Sequence, residues 1–279
     1  MFLALSQLET WWRRNCGGLF SRLGVDFTGA GAGSSMSREG GLLSRAEFHG
    51  LCRAFAATVF EKIAGMKAGA RVVVGQTPEE VRVSELLLGA FPEAYFLHVI
   101  RDPRSVFASQ RSAARSWAIE FPRNRVERAR LWSADVAAGR RLAEMTGRYR
   151  ELRYEALLSD TAAELKRVFE WFELTADAAL CQKAVAACSL DNLKQNQRAP
   201  AGFFRKGSAT GWREELSRAE LKLVEYFSRD LMEQLGYEPA LPTSPRPPLE
   251  VRLHETRERL LPPLRRLSRR ITRTWGAQA

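Results

Sequence analysis

The pair of side chains best suited to chemistry in this 279-residue chain is Arg101 and, eight positions later, Ser109. A guanidinium presents a planar fork of donors that matches the oxygens of a phosphate monoester, and a serine hydroxyl adds one more hydrogen bond. The same two residues read equally as a surface arginine and a serine that only solvates a helix. What surrounds them separates the two readings. Tyr95-Phe96-Leu97-His98-Val99-Ile100 is a short apolar, aromatic and β-branched run, which predicts a buried strand, central in a parallel sheet. Asp102 can cap the next helix, and Pro103 suits its first position because it has no N–H to leave unpaired. Ser105, Ser109 and Ser112 then fall on one helical face, with Val106, Ala113 and Trp117 on another stripe. Arg101 is thereby placed at the carboxyl end of a strand, the edge of an open α/β sheet where ligands bind.

Other candidates carry less. Gly29-Ala30-Gly31-Ala32-Gly33-Ser34-Ser35 has no strand before it and no Lys-Ser/Thr at its end, so it reads as a linker rather than a phosphate loop. Cys16, Cys52, Cys181 and Cys188 are scattered, and the chain has three histidines, which argues against a disulfide framework and against a structural zinc site. A reducing cytoplasm is the expected location. Met1–Leu8 is apolar but too short to span a bilayer and lacks the flanks of a signal peptide. The formal net charge of +11 favours acidic partners: a phosphorylated cofactor, nucleic acid or an anionic membrane.

The positioning elements follow from caps and periodicity. Ser44 to Glu47 has capping-box spacing ahead of Phe48, Leu51, Cys52, Phe55, Val59 and Ile63, which recur as on a helix. Arg71-Val72-Val73-Val74-Gly75 is expected to be a strand, and Thr77 and Pro78 to open a helix that carries Leu86–Leu88, giving a β-α-β unit with a parallel pair. A helix is expected over 125–145, a strand over 149–155, a helix from Asp160 or Thr161, and a last body helix over 221–235. That last helix is opened by the box Ser217…Glu220 and closed by Gly236.

Arg101-Asp102-Pro103-Arg104 with Ser109 resembles the 3′-phosphate motif of the sulfotransferases that use 3′-phosphoadenosine 5′-phosphosulfate. Phe203-Phe204-Arg205-Lys206-Gly207, followed by Gly211-Trp212, is similar to that family's second phosphate loop. The resemblance covers roughly Ser44 to Glu238. It implies an α/β fold of the P-loop-NTPase-like kind, a central parallel sheet flanked by helices. No metal is expected, given the scattered cysteines and few histidines, and the activity the resemblance implies is the transfer of a sulfuryl group to a hydroxyl or amine of a small-molecule, glycan or peptide acceptor. It implies that Arg101 and Ser109 hold the 3′-phosphate and that Arg205, Lys206 and Gly207 close the site. Tyr154 would then reach the adenine; otherwise it is a core tyrosine with a backbone partner. The acceptor pocket is built from variable loops, so its specificity is not legible.

Two departures from the family shape the expectation. Where members carry Lys-Thr-Pro or Lys-Thr-His, this chain has Gln76-Thr77-Pro78, which supplies neither the cation nor the base. No strand–loop–helix able to hold the 5′-phosphosulfate precedes Ser44. The expectation is therefore a member whose N-terminal strand and phosphate loop are missing, truncated or started internally, with little transfer activity as written. The other readings are a nucleotide-binding relic and a basic adaptor. The expected organisation is a helix and linker over 1–43, an α/β domain over 44–240 and a basic tail over 241–279. From Ser244 onward nine arginines and three glutamates supply +6 of the charge. There a helix after Pro262-Pro263 would align Leu264, Leu267, Ile271 and Trp275. Docking of that stripe on the body is the preferred reading. Contact with an anionic membrane comes next, and nucleic acid is not expected as a partner.

Overall fold

A computed structural model describes residues 45–258 apart from 71, 77, 118–120, 123, 196–202, 204–206 and 245. The expectations for Met1–Leu8, the glycine-rich stretch, Ser44, Arg71, Thr77, Arg205, Lys206 and the helix after Pro262-Pro263 lie outside the described residues. Contacts divide the chain into two units, residues 1–97 with 137–150, and residues 98–136 with 151–279.

In the first unit, α1 (Arg45–Gly65) packs against α2 (Ser84–Ala90), which follows a 3-10 turn over Pro78–Val83. Cys52, Ala56 and Ala90 are buried between them, with Phe60, Leu86, Leu87 and Phe91 packed around. Arg53 fixes the end of α2. It donates to the Ala90 carbonyl at 2.8 Å and forks onto the Glu93 carboxylate at 2.6 and 3.0 Å. Residues 72–76 are not a strand, contrary to the expectation for 71–75. Val72 and Val74 are 52% and 81% exposed, and among the described residues this β-branched run has no sheet neighbour to pair with.

The sheet among the described residues has two parallel strands, β1 (Phe96–Ile100) and β2 (Tyr149–Arg153), flanked by helices. The expected centrality of β1 is not seen among the described residues: β1 pairs with β2, Ile100 is buried, and Val99 is 47% exposed. β2 stops at Arg153, two residues earlier than the apolar pattern suggested, because Tyr154 already starts α5 (Tyr154–Ser159).

The second unit is built on α3 (Pro103–Ala113), the first part of α4 (Arg125–Met145) and the long helix set by the Ser217 box. Asp102 caps α3, its side chain accepting from the Arg104 amide, with Pro103 at the first position. Asn124 caps α4 through the Val126 and Glu127 amides. After α5 come α6 (Thr161–Trp171), capped by Asp160, and α7 (Ala178–Ala187), capped by Asp177. The short α8 (Leu190–Lys194) and α9 (Trp212–Glu215) follow. Both bonds of the capping box Ser217…Glu220 are present at the start of α10 (Arg218–Gln234), and Gly236 beyond its end has φ 71, the left-handed conformation glycine adopts without penalty.

Phe107, Val126, Ala129, Trp212, Leu223 and Val224 form one buried cluster, and Ile100, Trp132, Val136, Met232 and Tyr237 a second. Residues 249–258 form a further helix, and its Val251 is fully buried in the first of these clusters. A side chain of this size contributes about 1.5–3 kcal/mol when fully buried. Among the described residues no helix is long and apolar enough to cross a membrane.

Candidate functional site

The site grows from the turn between β1 and α3. Ile100 anchors the strand end in the core, and the next residue, Arg101, is half-buried. Its main chain is held by the Trp132 indole, which donates to the Arg101 carbonyl at 2.9 Å. Its guanidinium lies over the Tyr154 ring, 4.4 Å from the centroid, and one terminal nitrogen donates to the Ser208 carbonyl at 2.7 Å. The Nε of Arg101 is buried and has no acceptor among the described residues. A buried donor left unpaired costs roughly 1–3 kcal/mol, so this fork is aimed and held but incompletely satisfied.

The segment 207–211 runs beside the start of α3. Ser105 donates its hydroxyl to the Ala209 carbonyl at 3.0 Å, and the Ser208 hydroxyl accepts from the Gly211 amide at 3.0 Å. Gly207 enters this segment with φ 59, a conformation that disfavours any residue with a Cβ. Ser109 is half-buried one turn beyond Ser105 on the same face, and its hydroxyl makes no hydrogen bond among the described residues. The N-terminus of α3 adds partial positive charge at the same end. The structure thus brings together Arg101, Tyr154 and the Gly207–Ser208 segment, and sets Ser109 on the helix face that the segment covers. Arg205 and Lys206 lie outside the described residues.

Several residues that position this turn had no sequence signal of their own. Glu155 accepts from the Asp102 amide at 3.0 Å through one carboxylate oxygen and from the Tyr237 hydroxyl at 2.9 Å through the other. Burial, and then the Glu155 carboxylate, push the Tyr237 hydroxyl well above its ordinary range. Arg153 stacks on the Tyr237 ring at 3.7 Å and donates to the Leu235 carbonyl. Arg104, adjacent in sequence to the turn, points into the protein instead. It pairs with Asp102 at 2.7 Å and Glu225 at 3.1 Å, donates to the Glu238 carbonyl, and lies 3.9 Å from the Trp212 centroid. Adjacency to Tyr154 was the only hint of Glu155.

A strand-end guanidinium with a free donor, a helix N-terminus and a left-handed glycine segment can receive an oxyanion. The sequence matches the sulfotransferase family over residues 41–178, a range that takes in Arg101, Ser109 and Tyr154 and stops before Gly207. Over that range, just under half of its length, the chain is similar to the sulfotransferase family. Two solved structures are similar to this chain. One is retinol dehydratase in complex with androsterone and inactive cofactor PAP, 18% identical over 55% of this chain and 50% of that one, with a TM-score of 0.41. The other is retinol dehydratase with retinol and PAP, 17% identical over 56% of this chain and 53% of that one, with a TM-score of 0.43. The matched part of this chain spans about half the length of those chains. No curated protein matches it.

Proposed function

We propose that this chain binds the 3′-phosphate of 3′-phosphoadenosine 5′-phosphosulfate at the end of β1 and serves sulfuryl transfer to a hydroxyl or amine. The observation that carries the reading is the Arg101 fork: stacked, partly buried, and with a buried Nε that has no acceptor among the described residues. A phosphate is the kind of acceptor that fits such a donor set. Arg101 would supply the charge-assisted bonds, Ser109 a hydroxyl, and the backbone from Gly207 the rim, with Arg205 and Lys206 closing it. Tyr154 holds the guanidinium plane, and its edge is the candidate for base recognition. When bound, the nucleotide supplies the sulfuryl group. The protein's own task is to fix the anion and orient it, which is where most of the advantage in group transfer arises. The acceptor is read as a small molecule, glycan or peptide.

The test compares two nucleotides. Arg101→Ala should weaken adenosine 3′,5′-bisphosphate by about ten- to a hundredfold, the worth of a charged hydrogen-bonding pair of roughly 1.5–3 kcal/mol. Adenosine 5′-monophosphate, which lacks the 3′-phosphate, should change less than about threefold. Equal losses for both would remove the assignment. A second reading, nucleotide binding without transfer, is supported by Gln76-Thr77-Pro78, which brings no cation and no base. A transfer assay with labelled donor and the 279-residue chain separates the two.

A further inference from the structure

The second unit contains another arginine whose environment demands an explanation. Arg128, in the first turn of α4, is 5% exposed, and among the described residues no carboxylate pairs with it. Its guanidinium donates to the Pro122 carbonyl and lies 5.6 Å from the Phe107 ring centroid, while its Nε is buried with no acceptor among the described residues. Its neighbours make matters worse. Burial first, then the charges of Arg115, Arg111 and Arg125, push its pKa down, and the Glu220 carboxylate opposes them.

Glu220 is already spent. Its two oxygens each accept from Arg111 at 2.9 Å, and one also takes the Ser217 amide and hydroxyl at 3.0 and 2.9 Å. Burial alone would raise the Glu220 carboxyl, but the Ser217 amide and Arg111 outweigh it and hold the pKa down. Arg125 has one 3.3 Å contact with Glu250, and its Nε too is buried without an acceptor. Arg115 is exposed and has no partner among the described residues. A buried cation with no counter-charge costs several kcal/mol, and like charges around it add to that cost. Such a cluster is balanced when an anion sits in it.

We infer that Arg115, Arg125 and Arg128 form a second oxyanion site, for a phosphate or sulfate group, where the end of α3 meets the start of α4. Guanidinium forks match the oxygens of a tetrahedral oxyanion, and the N-terminus of the 21-residue α4 favours the same charge. Arg115 is fourteen residues beyond Arg101, roughly 20 Å along a helical path, so this site is separate from the one at the end of β1. It does not depend on the nucleotide reading.

Inorganic phosphate is the probe, titrated calorimetrically at fixed ionic strength into the full chain carrying Arg101→Ala, so that the strand-end site does not report. Phosphate should still bind, and adding Arg128→Met should weaken it at least about tenfold. Should Arg128→Met fail to fold, Arg115→Ala serves instead, because that side chain is exposed; the expected loss is about threefold. Phenyl phosphate in a parallel titration distinguishes a free ion from a group on an organic molecule: equal affinities mark the former, tighter phenyl phosphate the latter. An Arg101→Ala chain that binds no phosphate overturns the inference, and so does binding that neither second substitution weakens.

Discussion

Arg101 and Arg104 stand three residues apart at the same turn, and they have opposite lives. Arg104 is 4% exposed, and its donors are met by Asp102, Glu225 and the Glu238 carbonyl, with the Trp212 ring over its face. Arg101 is half-buried and, among the described residues, has one side-chain hydrogen bond and a buried Nε without an acceptor. The difference lies in the direction each takes from the helix start. Arg104 turns into the interior against α10, where Glu225 also gathers the Ala240 and Leu241 amides. Arg101 stays at the strand end under Tyr154 and the Gly207 segment. Identical chemistry becomes a structural tie in one place and a candidate ligand fork in the other, and what decides is whether the protein itself supplies the anion.

Breaking the structural member should have the largest effect. Arg104→Ala leaves Asp102 a buried carboxylate without its cation and Glu225 with only the longer 3.8 Å contact to Arg229, which costs about 3–5 kcal/mol. Urea unfolding would measure it. Arg101→Ala, with no acidic partner to strand, should stay within about 1 kcal/mol of wild type while losing its phosphate ligand. Similar losses for the two substitutions would erase the contrast.

A smaller effect should come from Tyr237, which ties Glu155 and through it the Asp102 amide to the turn. Tyr237→Phe leaves one Glu155 oxygen short of a donor and should cost about 1 kcal/mol near neutral pH. The sign of its pH dependence follows from the raised hydroxyl pKa. The stabilisation is fully present below the ordinary value of 10.0 and is lost as pH rises above it, because the unfolded chain ionises first. The wild type should therefore lose stability more steeply than Tyr237→Phe above about pH 10. Parallel alkaline limbs would show that the hydroxyl is not held by Glu155.

The smallest expected effect belongs to His98 on β1. Burial lowers its pKa below 6.5, and the charges of Glu151 and Asp135 partly offset that shift. The neutral ring is the form that folding favours, so its contribution is present above pH 6.5 and fades as pH falls through the lower folded value. His98→Gln should flatten the acid limb of stability just below pH 6.5 without altering phosphate binding. A steeper acid limb in the variant would reverse the sign and refute the account.

What the sequence determined by itself was local. The caps Asp102, Asp160 and Ser217…Glu220, the helix over 125–145 and the turn at Gly236 were all legible, because each is specified by bonds or periodicity within a few residues. Arg101 at a strand end was legible for the same reason, and so was the likeness to the sulfotransferases through the motif around it. The strand expected at 71–75 failed where local reasoning must fail, since β-propensity is realised only beside a neighbour. Only the tertiary structure decided which arginine was spent. Arg104 meets Glu225 across 121 residues, Glu155 meets Tyr237 across 82, and Arg101 meets Ser208 across 107. No spacing in the chain encodes those pairings; they exist because packing α10 against α3, and closing the segment after Gly207 over the strand end, removes water and leaves each buried charge to find its partner or go without.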